Sequence, residues 1–186
     1  MFVAVDPPPE ATDDLRTLVG RLAVAQAGAR LAAPDTWHVT VAFLGDVPAS
    51  RVEVAGEAVA RAAAVMAPIP LRIAGGGRFG RGRFTVLWAG LVGDTGALAT
   101  LALLVRRGLK RARLPFDDRP YRPHLTIARP GDRVPRDTVD ADRDLLDAHT
   151  GPEWTADTVH LYRSFLGPQP RYVRLGSWPL NGDSPT

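Results

Sequence analysis

A chain of 186 residues has room for one domain, or for two small lobes sharing a cleft, and can bury a core without covalent staples. It contains no cysteine, which excludes disulfides, thiolate nucleophiles and cysteine-held metal clusters. The net charge of +3 is mild and Lys110 is the only lysine among 23 basic residues, an arginine-rich balance that permits a nucleic-acid or nucleotide ligand without requiring one.

In chain order, residues 2–6 read as a strand that Pro7-Pro8-Pro9 ends. Leu15, Leu18, Val19 and Leu22 follow helical spacing. Residues 37–44 form a strand stopped by Gly45-Asp46. Ser50 and Glu53 have the spacing of a capping box, opening a helix whose apolar face runs through Val52, Ala55, Val59, Ala63 and Met66 to Pro68. A short strand over 69–74 leads to a Gly-rich bend at 75–82. A strand over 84–91, an Asp94-capped helix (Leu98, Leu101, Val105, Leu109), a strand over 124–129 and a polar helix over 137–147 follow. Strands over 154–165 and 171–177 close the order. The sequence predicts an internal duplication, with halves at 1–76 and 83–180 inside one domain of residues 1–180 and a frayed tail at 181–186. The opening residues lack a basic stretch and no apolar run is long enough to span a membrane, so no signal peptide and no membrane contact are expected, and a cytoplasmic monomer is.

One pattern occurs twice. His38-Val39-Thr40-Val41-Ala42 and His124-Leu125-Thr126-Ile127-Ala128 both read His, apolar, Thr, apolar, Ala. His149 and His160 lack the pattern. Alternation in a strand puts each histidine and threonine on one face and the apolar pair on the other. Two such strands facing one cleft supply two titratable imidazoles and two hydroxyl donors, a set suited to acid–base attack on a phosphodiester without a metal or cofactor.

Other motifs carry less. Gly75, Gly77 and Gly80 match G-x-G-x-x-G, but a strand follows where a dinucleotide fingerprint needs a helix. The arginines of that stretch, Arg78, Arg81 and Arg83, are those of a flexible turn, with RNA contact as the alternative. Asp117-Asp118 reads as a solvated turn, and the Asp-rich run at 137–147 as an exposed helix face.

The paired His-x-Thr strands resemble the two-histidine (2H) phosphoesterase superfamily. The flanking FVAVDPP, WHVTVAFLG, RFTVLWAGL, YRPHLTIAR and YVRLGSWPL are similar to the bacterial and archaeal RNA 2′,3′-cyclic phosphodiesterases, formerly called 2′-5′ RNA ligases. The arginine usual before the first strand of that family is missing here. The resemblance implies an α+β fold of two pseudo-symmetric lobes, each an antiparallel β-sheet with helices on its outer face, and an active-site cleft between them. It implies metal-independent hydrolysis of a terminal 2′,3′-cyclic phosphate on RNA to a 2′-phosphate, with His38 as proton donor and His124 as acceptor. The near-symmetric motifs themselves leave that assignment open. Some relatives join RNA halves through a 2′-5′ bond, other branches open cyclic phosphates of small nucleotides, and a non-catalytic RNA-end binder is a further alternative.

Thr40 and Thr126 are expected to donate to the non-bridging oxygens. The resemblance places an arginine at Arg129 for substrate binding, yet strict alternation puts Arg129 on the face opposite His124, so it reaches the phosphate only if the strand ends or bulges. Phe43 and Tyr121 flank the motifs as candidates for stacking on a base, with core packing as the competing role.

Overall fold

The structure, a computed structural model, describes residues 1–132, 134–165, 167 and 170–182. Strand β1 (Phe2–Val5) is buried along its whole length. Helix α1 (Pro9–Val19) carries proline in its first turn, where the missing N–H costs nothing, and buries Ala11, Leu15 and Val19. A short helix α2 (Ala23–Gln26), strand β2 (Arg30–Leu31) and a 3₁₀ turn at Pro34–Thr36 lead to strand β3 (Val39–Phe43). Helix α3 (Val52–Ala63), strand β4 (Ile69–Phe79), strand β5 (Val86–Gly93) and helix α4 (Thr95–Arg111) follow. The second half continues with strand β6 (Leu125–Arg129), helix α5 (Arg136–Asp147) and strands β7 (Thr150–Ala156), β8 (Thr158–Phe165) and β9 (Arg171–Pro179).

The strands form two antiparallel sheets, one of four strands in the order β3-β1-β8-β9 and one of five in the order β2-β6-β5-β4-β7. This is an α+β fold. Helix α4 packs on β3, α3 on β8 and β9, and α5 on β4 and β5, so each sheet has one covered face. Val39 and Val41 of β3, and Leu125 and Ile127 of β6, are fully buried on that side. Each such side chain contributes about 1.5–3 kcal/mol on burial, so a one-residue slip that turned a strand over would forfeit several kcal/mol and is strongly selected against.

Several expectations are corrected. The two sheets are not built one per half: β2 and β4 join the five-stranded sheet from the first half, while β8 and β9 join the four-stranded sheet from the second. The strand predicted over 154–165 is two strands. β7 pairs with β4, and the chain then crosses at Asp157 so that β8 pairs with β1 and β9. The Gly-rich bend is strand as far as Phe79, because its glycines make room for neighbours. A Cβ on Gly76 would meet the Arg143 carbonyl of α5 at 2.5 Å, and one on Gly77 would fall 2.0 Å from the Trp88 ring. Beyond it, Arg81 to Thr85 close a hydrogen-bonded 3₁₀ turn rather than a loose loop.

The capping box at Ser50 does not form, since a 3₁₀ turn over Ala49–Arg51 precedes α3 and no side chain caps it. Asp94 does cap α4, accepting from the Ala97 amide at 2.8 Å. The Asp-rich helix α5 is not wholly solvated. Asp142 is 1% exposed, and its carboxylate accepts from the Ala23 and Val24 amides at 2.9 and 2.6 Å. It thereby satisfies the free N–H groups at the start of α2.

Candidate active site

Both His-x-Thr motifs lie on faces that no helix covers. His38 directly precedes β3 of the four-stranded sheet and Thr40 lies on it, His124 directly precedes β6 of the five-stranded sheet and Thr126 lies on it, and all four side chains are half-buried. The two rings are held in the same way. His38 Nδ1 bonds the Thr36 carbonyl at 2.7 Å, and His124 Nδ1 bonds the Arg122 carbonyl at 2.8 Å. A carbonyl oxygen only accepts, so each Nδ1 carries a hydrogen and donates. Each neutral ring therefore presents a bare Nε2 that can take a proton, and each charged ring an Nε2–H that can give one.

Aromatic side chains form a wall behind each ring. Phe2 stacks on His38 with centroids 4.5 Å apart, and Tyr172 of β9 meets it edge-on at 5.4 Å. Across the cleft, Phe79 meets His124 edge-on at 4.9 Å, and Trp88 lies 6.0 Å away. None of these four aromatics was given a site role from the sequence, although Phe2, Trp88 and Tyr172 lie in the segments that carry the family resemblance. A further signal is a glycine in a strand, Gly77, which stands opposite Trp88 and lets the indole lie flat against the sheet.

Burial pushes both imidazoles below the ordinary 6.5. Hydrogen bonding to Thr36 and the charge of Asp6 work against burial at His38, while the charge of His124 works with it. At His124 the bond to Arg122 works against burial and the charge of Arg129 works with it.

Arg129 reaches the site through a bulge. β5 pairs Trp88 with Thr126 but Leu87 with Ala128, so Ile127 is the extra residue on β6. Both Ile127 and Ala128 are buried, and alternation resumes one residue later, returning Arg129 to the face of His124. β3 has the same irregularity: β1 pairs Ala4 with Thr40 but Val3 with Ala42, and Phe43 pairs with Phe2. Phe43 therefore shares the cleft face with Phe2 and is 50% exposed, which corrects the core-packing expectation for it. Tyr121 goes the other way. Its ring packs against the main core, with the Arg106 guanidinium 5.7 Å from the ring centre, and its hydroxyl is buried. Among the described residues the Thr40 and Thr126 hydroxyls bond no other protein group, and no three His, Asp or Glu side chains converge to hold a metal ion. The two motifs and the residue that follows the second thus contribute two imidazoles, two hydroxyls and the Arg129 guanidinium.

Two antiparallel sheets, each carrying one His-x-Thr strand, make this the two-histidine phosphoesterase fold. The chain belongs to the 2′-5′ RNA ligase superfamily, whose family model matches residues 5–166. It is 35% identical to an RNA 2′,3′-cyclic phosphodiesterase of Geobacillus stearothermophilus over 80% of this chain, although the match spans only 46% of that relative. It is 30% identical to one of Thermus thermophilus, over 81% of this chain and 75% of the relative. The crystal structure of TT0787 from Thermus thermophilus superposes with a TM-score of 0.80 at 27% identity, covering 98% of both chains. No helix among the described residues is long and apolar enough to cross a membrane.

Proposed function

We propose that the protein opens the 2′,3′-cyclic phosphate at the 3′ end of an RNA to a 2′-phosphomonoester, acting as a cytoplasmic monomer. The bond formed joins a water oxygen to phosphorus, and the bond broken is phosphorus to O3′. His124 Nε2 takes the proton of the attacking water, and His38 Nε2–H gives one to the departing O3′. In-line displacement needs these two groups on opposite sides of phosphorus, which strands of two facing sheets supply and a single strand does not. Thr40 and Thr126 donate to the non-bridging oxygens, and Arg129 neutralises their charge. Phe43 offers a base a stacking surface at the exposed end of β3. Tyr121 supports the turn before His124 from the core side.

The observation that carries this reading is the pair of Nδ1–H···O=C bonds, which leave both Nε2 atoms available. The named activity of the relatives agrees with it. The test offers cyclic-phosphate-ended RNA and the four mononucleotide 2′,3′-cyclic phosphates in EDTA. The expected result is 2′-phosphate formed faster from the RNA. Equal rates on mononucleotides move the substrate to small nucleotides, 2′-5′ joined product as the main species moves the activity to ligation, and binding without turnover overturns the reading.

The pH dependence follows from the two lowered imidazoles. A free-protein profile in kcat/KM reports them before substrate binds, so both limbs of a bell are expected below pH 6.5, with values belonging to the pair. An anionic phosphodiester in the cleft favours the imidazolium, so the alkaline limb of kcat should lie at higher pH than that of kcat/KM. A kcat/KM profile still rising at pH 8 would contradict this.

A further inference from the structure

The cleft face of the four-stranded sheet also holds a cluster of titratable side chains for which the steps above have no use. Asp6 directly follows β1. Val5 pairs with Val39, so the next position in register sets Asp6 across from His38 on the same face. Its carboxylate is clamped from the side away from β3. Tyr162 Oη donates to Asp6 Oδ2, and Arg174 Nη2 donates to the same oxygen at 3.1 Å. His160 Nε2 lies 3.7 Å from it. The clamp is itself braced, since Arg174 Nε donates to Tyr162 Oη at 3.1 Å and His160 Nδ1 lies 2.8 Å from Ser177 Oγ. The aromatic wall continues from the cluster to the ring: Tyr162 stacks on Phe2 at 5.2 Å, and Phe2 stacks on His38.

Among the described residues the second motif has no counterpart. On β5, Ala89 pairs with Leu125, so the position across from His124 is Gly90. Where the first histidine has a carboxylate across from it, acting through charge rather than contact, the second has a residue without a side chain, and the charge that acts on it is the Arg129 guanidinium. Two motifs with matching sequence are thus made unlike by what stands opposite them. Neighbours that push two titratable groups apart are what separates an acid from a base.

We propose that Asp6 is a positioning residue: clamped by Tyr162 and Arg174, its carboxylate favours the imidazolium at His38 and so makes His38, rather than His124, the proton donor. This rests on the acid–base reading above. The groups around it fit the role. Burial, followed by the bond to Asp6, pushes the Tyr162 hydroxyl up to about 12, so it stays a donor to the carboxylate. Burial lowers His160, which leaves it neutral near pH 7, while Arg174 is a fixed cation bonded to Asp6. On the ring itself, Tyr172 contributes an edge from β9 and His124 a like charge from across the cleft.

The test follows the two ring C–H resonances by NMR against pH, without substrate, in the parent protein and three variants. In Asp6→Asn the His38 titration should move down by about 0.5–1 pH unit while His124 moves far less. Asp6→Glu should restore part of the shift. Arg174→Gln removes the cation that offsets Asp6 and should move His38 the opposite way, to higher pH. In activity, the alkaline limb of kcat/KM for Asp6→Asn should shift with the ring, costing about three- to tenfold at pH 8 and little on the acid limb. A His38 titration unmoved in both Asp6→Asn and Arg174→Gln overturns the proposal, as does a loss of kcat equal at every pH. Should Asp6→Asn fail to fold, Arg174→Gln and Asp6→Glu still decide the sign. Because the titration needs no turnover, its failure is distinct from a failure of the hydrolase reading, which activity in His38→Ala would expose.

Discussion

Replacing either His38 or His124 by alanine is expected to lower kcat on cyclic-phosphate-ended RNA about 10²–10⁴-fold, the range for loss of one positioned proton-transfer group. The double variant should cost little more than the worse single one. Removing the base leaves the attacking water without a proton acceptor and removing the acid leaves O3′ a poor leaving group, so either loss disables the same displacement. The fold should survive both changes. Each ring sits half-buried on the cleft face, outside the main core, and its one protein hydrogen bond goes to a carbonyl two residues earlier on its own chain. Phe2 and Tyr172 lose a stacking partner at His38, as Phe79 and Trp88 do at His124, which costs on the order of 1 kcal/mol of contact at each site. Thermal melts should therefore stay close to the parent's while single-turnover rates collapse. Rates within threefold of the parent in either single variant would remove the two-imidazole mechanism.

The pattern of helices and strands was legible because it is written in local periodicity. Alternation gave β3 and β6, and the 3.6-residue spacing of Leu98, Leu101, Val105 and Leu109 gave α4, all four of them buried. Pairing was not legible. A bulge is a mismatch between two strands, so the extra residue on β6 becomes visible only against β5, and with it the face that Arg129 occupies. The division of β7 and β8 between sheets was hidden for a similar reason. Buried and exposed positions run on through Ala156 and Thr158, and only their partners, β4 and β1, show the crossing at Asp157. The aromatic walls come from β1, β4, β5 and β9, too far apart in sequence to be read as a unit. Asp6 and Gly90 are the sharpest instance: both lie inside segments that mark the family resemblance, yet only strand register puts one across from each histidine.

The threonines should separate binding from catalysis most cleanly. Thr40→Val and Thr126→Val keep the branched shape and remove only the hydroxyl. Neither hydroxyl bonds another described group, so the folded state loses no internal hydrogen bond and stability should hold. In the reaction, negative charge builds on the non-bridging oxygens as water adds to phosphorus, and a fixed donor is worth more to that state than to the resting diester. Each valine variant is therefore expected to lose about 10²–10³-fold in kcat, on the order of 3–4 kcal/mol, with KM changed severalfold at most. Thr126 pairs with Trp88 and Thr40 with Ala4, so the two hydroxyls come from different sheets, one beside each imidazole. That placement predicts losses of similar size at the two positions. A raised KM with kcat intact would make the hydroxyls ground-state anchors, and kcat within threefold of the parent at both positions would leave Arg129 as the remaining charged group at the oxyanion.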